Sequence, residues 1–232
     1  EVGVQLRRRT SLKSIKKDGT DFLVTVETGS ETKDLRADLV VQGAGRVAAI
    51  DQLDLAAANV EAGDKGVAVN AYLQSTSNPK IYAAGDAADT QGAPLTPVAV
   101  FEGKVAASNM LKGNRTKPDY AGVPSAVFTV PELSRVGMLE EEAREAGHDI
   151  RVVENDTGDW YSNLRVGESC AATKVIIDNE CDTILGAHLL GPEYGEIINF
   201  FGLAVRLGLT TSDLKKMVSA YPSVGSDLGS MV

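Results

Sequence analysis

Two features of the stretch 80–111 could do chemistry: a carboxylate at Asp86, directly after Gly85, and a helix start at Thr96-Pro97. A carboxylate can accept hydrogen bonds from the hydroxyls of a sugar-like chain. The first N–H groups of a helix lack intrahelical partners and carry a partial positive charge, which suits an anionic or electron-rich group. Together they describe one wall of a cofactor site rather than a reacting centre. An Asp beside a Gly is also an ordinary surface-turn residue.

The surrounding elements must position these groups. Ile81–Ala84 is a short apolar run between Pro79 and Gly85, as a buried strand would be, and it would put Asp86 just past a strand's carboxyl end. Thr96 is expected as N-cap and Pro97 as the first helical residue. Val98, Phe101, Val105 and Met110 are expected on one buried face, with Gly113 ending the helix.

Composition bounds the rest. The 232 residues fit one large or two small domains, and the net charge of −9 disfavours nucleic acid and anionic membrane as partners. No segment approaches the roughly 18 uninterrupted apolar residues of a membrane-spanning helix. The cluster Arg7, Arg8, Arg9, Lys13, Lys16 and Lys17 is expected on a solvated strand edge rather than at a phosphate site. Cys170 and Cys181 are too few and too far apart for a disulfide scaffold, a redox pair or a zinc motif, so both are read as structural and the setting as reducing and cytoplasmic.

Along the chain, 4–15 and 21–28 alternate as strands around a turn at 17–19, and Asp38–Gln42 is expected as a third, buried parallel strand. That run ends in Gly43-Ala44-Gly45-Arg46, a glycine-rich turn that matches neither GxGxxG nor a phosphate-binding loop. A short helix is expected at 51–62 and a strand at 65–70. Polar residues with Pro118, Gly122 and Pro124 mark a domain boundary. Beyond it, strands are expected at 125–129, 149–154, 173–178 and 183–190, and helices at 139–146 and 193–207. Thr210 and Asp213 are spaced as a capping box for a last helix. His148 is read as a surface turn residue, His188 as a hydrogen-bonded interface residue, and Trp160 and Tyr161 as packing residues.

The segment AAGDAADTQGAPLTPVAVFEGKVAA at 83–107 resembles the second flavin-binding segment of the class I pyridine nucleotide–disulfide oxidoreductases, the family of glutathione reductase, dihydrolipoamide dehydrogenase and mercuric reductase. The pieces at 123–143, 184–214 and 220–227 resemble that family's dimerisation domain in order and spacing. The resemblance implies an α/β amino-terminal part followed by an α+β dimerisation domain. It divides the chain into the tail of an NAD(P)-binding domain at 1–46, a central FAD-binding segment at 47–117 and a dimerisation domain at 118–232. It implies FAD and NAD(P)H as cofactors, Asp86 on the ribityl chain, Leu95 and Thr96 with their backbone near the flavin ring, and Gly45 near the nicotinamide and flavin rings. It implies no metal, and a homodimer formed through 118–232.

Two departures qualify the resemblance. The family's disulfide reductases end in His-Pro with a nearby Glu, and the His serves as acid and base across the dimer. Here Tyr221-Pro222 stands there, with Ser226 at the Glu position and Asp227 one later. A phenol with a reference pKa of about 10 is a poor base at neutral pH. The family's redox cysteine pair and both glycine-rich nucleotide fingerprints are also missing from these 232 residues. The chain therefore resembles the carboxyl-terminal half of such an enzyme, with a non-catalytic dimerisation module as the alternative.

Overall fold

The computed structural model describes residues 3–232; Glu1 and Val2, where the expected 1–46 segment begins, lie outside the described residues. The chain forms two compact units, one ending at Arg46 and the other spanning Val47–Val232.

In the first unit, β1 (Thr10–Asp18), β2 (Asp21–Thr28) and β3 (Glu31–Ala37) make an antiparallel meander. Gly19 and Gly29, at φ 66° and 62°, supply the left-handed residues that two-residue hairpins require. The third strand is not Asp38–Gln42, which has no regular structure. Gly29-Ser30 closes a second tight hairpin, so the charged run Glu31–Ala37 pairs locally with β2, Val24 opposite Leu35. A nearby antiparallel partner costs less loop entropy than a distant parallel one. The basic residues lie exposed on and before the edge strand β1, and Lys13 pairs with Glu27 at 2.7 Å.

The second unit begins with two short 3₁₀ turns at Asp51–Leu53 and Leu55–Ala58, in place of the single helix expected there. A small sheet follows, with β4 (Ala62–Gly63) and β5 (Gly66–Ala68) antiparallel and β6 (Ala88–Asp89) parallel to β5. Ile81–Ala84 is extended but forms no strand. It meets 73–75 through one bridge, Gln74 to Tyr82, flanked by Ser75 N–H to Ile81 O and Ala83 N–H to Leu73 O. Leu73 at φ 66° breaks the pairing there.

Helix α1 spans Thr96–Lys112. Its N-cap is Leu95, not Thr96, because the Leu95 carbonyl accepts the first helical bond, from Ala99 N–H at 3.0 Å, and Pro97 is the second helical residue. The buried stripe is Val98, Glu102, Val105, Ala106 and Asn109, whereas Phe101 and Met110 are 36% and 63% exposed. The true stripe includes two polar residues, so apolar spacing alone misplaces it.

The remaining elements build a five-stranded antiparallel sheet in the order β7 (Ser125–Val127), β8 (Glu132–Gly137), β11 (Ile184–Gly191), β10 (Ala172–Asp178) and β9 (Ile150–Asp156). Helix α4 (Tyr194–Leu207) buries Ile197, Ile198, Phe201 and Ala204 against Val136, Val175, Ala187 and Leu189 of the sheet. Leu214, Val224 and Leu228 close this core from the chain end. On the other face, α2 (Glu140–Glu145) covers Ile150 and Ile176 with Ala143. A short α3 (Tyr161–Leu164) precedes β10. Helix α5 (Thr211–Lys215) opens with the expected box: Thr210 Oγ1 accepts from Asp213 N–H, and Asp213 accepts from Thr210 N–H, both at 3.1 Å.

His148 does more than fill a turn. Its Nδ1 lies 2.8 Å from Asp178 Oδ2, while Asp178 Oδ1 accepts from Glu180 N–H and Cys181 N–H and so shapes the β10–β11 turn. Cys170 and Cys181 are both free and exposed. The hydrogen bond from His148 and those two amides lower the Asp178 pKa to about 2, from an ordinary 3.8. A depressed carboxyl stabilises the fold above its ordinary value and loses that contribution as pH falls through the folded one. Urea melts should therefore show stability dropping between about pH 4 and about pH 2, with a shallower drop in Asp178→Asn.

Candidate functional site

The turn that carries Asp86 is a single 3₁₀ turn, Gly85–Ala87, lying against the start of α1. Gly85 has φ 66°, and a Cβ there would come 2.7 Å from the Ala99 Cβ, so the turn touches the helix at a point only glycine permits. Asp86 is exposed, and a strand follows it rather than precedes it. Leu95 is extended and Thr96 is the first helical residue, so the structure brings the backbone of 95–96 and the Asp86 turn to the same end of α1. Pro97 has no N–H, and the open donors at this end belong to its neighbours. Gly45 lies in the first unit, exposed and at φ 96°.

A residue that apolar spacing passes over holds this end of the helix together. Glu102, one turn further along α1, is completely buried. Its Oε2 accepts from Gly85 N–H at 2.6 Å. Its Oε1 accepts from the Thr90 hydroxyl at 2.8 Å and the Tyr120 hydroxyl at 2.7 Å. Thr90 Oγ1 in turn accepts from Gly92 N–H at 3.1 Å. Gly92 packs so closely that a Cβ would lie 2.6 Å from Glu102 Oε1 and 2.8 Å from the Tyr120 ring. One carboxylate thus ties together the Asp86 turn, the loop leading to Leu95 and the connector after α1. Burial raises the Tyr120 phenol to about 12, and its bond to Glu102 adds to the rise. The signal in the sequence is a Glu four residues after Val98 and three before Val105, on the apolar stripe.

Asn109 plays the same part at the other end of α1. Its amide donates to Tyr72 O and Thr116 O, and its carbonyl accepts from Arg115 N–H and Thr116 N–H. The helix is therefore fixed at both ends by buried, fully partnered polar groups.

Tyr221 is 77% exposed and stacks on the ring of Tyr161, with centroids 6.3 Å apart. Beside this pair, Ser162 donates to Asp227. Trp160 packs partly into the core below α4. His188 Nε2 lies 3.1 Å from Met138 O. Among the described residues no group of His, Cys, Asp and Glu is arranged to hold a metal ion, and no helix is long and apolar enough to cross a membrane.

This mixed α/β chain, with a helix-backed antiparallel domain at its end, has the fold of the flavoprotein disulfide reductases. Residues 1–103 match the pyridine nucleotide-disulphide oxidoreductase model and residues 123–232 that family's dimerisation domain. The chain belongs to the pyridine nucleotide-disulphide oxidoreductase family. It is 51% identical over 180 residues to an uncharacterized 19.7 kDa protein in a mercuric resistance operon of Staphylococcus aureus, covering 78% of this chain and all of that one. It is 31% identical over 98% of its length to mercuric reductase of the same organism and 32% identical over 97% to dihydrolipoyl dehydrogenase. It spans only 41% and 47% of those two enzymes. Among solved structures, the HOCl-induced flavoprotein disulfide reductase RclA of Escherichia coli superposes with a TM-score of 0.82 at 28% identity, covering 95% of this chain and 50% of that one.

Removal of the Glu102 carboxylate leaves three donors without an acceptor. Glu102→Ala is expected to cost on the order of 3 kcal/mol in a urea melt. Glu102→Gln should cost less, because the rotatable Thr90 and Tyr120 hydroxyls can accept from an amide. In that variant the Tyr120 phenol should titrate below its native value in an ultraviolet difference titration.

Proposed function

We propose that this chain supplies one wall of the FAD site and the dimerisation domain of an FAD-dependent NAD(P)H oxidoreductase. The observation that carries the reading is the Asp86 turn locked by Glu102 against the start of α1. In this reading Asp86 holds the ribityl hydroxyls, and the backbone at Leu95 and Thr96 faces the flavin ring. Gly45 lies by the nicotinamide at the end of a 1–46 segment. The partial positive charge of the α1 N-terminus favours added electron density on a ring placed there. Bound FAD would supply hydride acceptance from NAD(P)H; the chain's own residues bind and orient it.

The boundary near 118 then separates the cofactor segment from a homodimer-forming domain. Phe200, Leu203 and Leu207 lie exposed on the outer side of α4, and Phe128 is 86% exposed in the loop after β7. Large exposed apolar residues of this kind support a two-fold contact. The exposed Tyr221 lies where the family's disulfide reductases carry their acid–base His. The acceptor chemistry is accordingly not His-assisted dithiol exchange. A second reading, a non-catalytic dimerisation module, is favoured by the 51% identical 19.7 kDa relative, all of which this chain matches.

A titration of the purified chain with FAD, followed by flavin fluorescence with the mass in solution recorded, separates the readings. The cofactor reading expects saturable binding that weakens at least about tenfold in Asp86→Ala, equal to about 1.4 kcal/mol. Dimeric mass without FAD binding overturns it in favour of the module. In the intact parent enzyme, the native Tyr221 form is expected to reduce a small disulfide poorly and Tyr221→His to do so faster. A normal disulfide reductase rate in the native form contradicts the assignment of Tyr221.

A further inference from the structure

A half-open pocket of about 470 Å³ lies in the second unit, between β8, β11, the end of α4, the loop entering α1 and the connector that leads into β7. Its size is that of a small-molecule pocket, which typically spans about 300–1,000 Å³. Leu95, Val136, Met138, Ile184, Leu185 and Val205 give it apolar walls. Two of its lining glycines pack directly against neighbouring backbone. A Cβ on Gly122 would come 2.3 Å from Gly202 O, and one on Gly137 would come 2.2 Å from Leu185 O. Both glycines have positive φ, 66° and 71°, so the close approach and the turn at each are one constraint.

The polar lining is small and lopsided. Arg135 and Glu142 are its charged members. Glu142 brings a negative charge to this lining and places it at the start of α2, where its Oε2 accepts Leu139 N–H at 2.8 Å. Arg135 is exposed and has no side-chain hydrogen bond or ion pair among the described residues, although acidic groups pair with Lys174 at 2.7 and 3.0 Å. Arg135 sits opposite Ser125 on β7 and opposite His188 on β11. Burial and the neighbouring cations Arg135 and Lys174 hold His188 below its ordinary pKa, so it adds no second charge at neutral pH. Strand β7 pairs with β8 only from Ser125 to Val127. Beyond Arg135, therefore, β8 has no strand on that side, and the cavity fills the place of one.

A half-open apolar pocket with an exposed guanidinium at its rim is complementary to an amphiphile whose charged end meets Arg135 and whose chain enters the pocket. We propose that this cavity binds a small organic monoanion with a compact aliphatic body, its carboxylate on Arg135 and the Ser125 hydroxyl and its chain among the apolar walls. A guanidinium pairs a carboxylate through two parallel N–H bonds, and such charge-assisted bonds are the stronger kind. The cavity borders the Asp86 end of α1, since Leu95 lines it and Tyr120, also in its wall, donates to Glu102, but its apolar binding does not require the cofactor reading.

The test is a titration of the ¹⁵N-labelled chain with octanoate, read at the amides of Gly122, Gly137 and Gly208. Saturable shifts with one dissociation constant are expected at these glycines. Octanol, with the same chain and no charge, should bind at least about tenfold more weakly. Arg135→Met should weaken octanoate by at least about tenfold and leave octanol unchanged. Val205→Phe, which fills the chamber, should abolish both, and the spectrum of each variant reports its fold. Equal binding of octanol and octanoate, an unaffected Arg135→Met, or shifts confined to the outer face of α4 would overturn the proposal. So would the absence of any shift up to the solubility of octanoate.

Discussion

A single buried carboxylate is the constraint on which the second unit's chemistry-bearing end depends. Glu102 enters the interior on the inner stripe of α1 and meets donors from three separate stretches: Gly85, Thr90 and Tyr120. A buried acceptor of this kind is costly unless its lone pairs are used, and here it takes three bonds, from donors on half-buried residues. The turn bearing Asp86, the loop entering α1 and the connector leaving it therefore cannot move independently. Gly85 and Gly92 complete the arrangement, since no side chain fits at either point. The cofactor reading rests on this rigidity. A wall built from an exposed Asp on a loose turn would have to be ordered by its ligand, and ordering costs affinity.

The antiparallel domain uses a different balance. Its sheet is covered on both faces, by α4 and the chain end on one and by α2 on the other. That leaves the second side of α4 with Phe200, Leu203 and Leu207 toward solvent. The helix is thus apolar on two sides, one spent on the chain's own core. Such a helix is consistent with the dimerisation domain that residues 123–232 match.

Much of this is legible along the chain, and the failures have physical causes. Glu193–Leu207 is readable because its inward residues recur at helical spacing, and the last helix because Thr210 and Asp213 stand three apart. The β1–β2 hairpin follows from alternation around a glycine turn. Strand β8 is hidden because its polarity is inverted: Ser134 points inward, its hydroxyl donating to Tyr194 O, while Leu133 faces out. The charges of β3 make it look like a loop, and Asp38–Gln42 resembles a strand because it is apolar. The stripe of α1 is misplaced for the reason that makes the helix interesting. Its inward positions include Glu102 and Asn109, polar residues whose partners come from loops far along the chain, which spacing cannot supply. At Asp86 the residue type points to the right end of the helix, but the strand before it is only a single bridge.

The central claim is that the wall beside Asp86 exists before any ligand arrives. Amide hydrogen exchange at Gly85 and Gly92 in the ligand-free chain measures this directly, because both N–H groups donate into the Glu102–Thr90 network. Slow exchange is predicted at both, close to that of the α1 interior, with loss of protection in Glu102→Ala while the α4 amides stay protected. Exchange at Gly85 and Gly92 as fast as in an open loop in the native chain would contradict it.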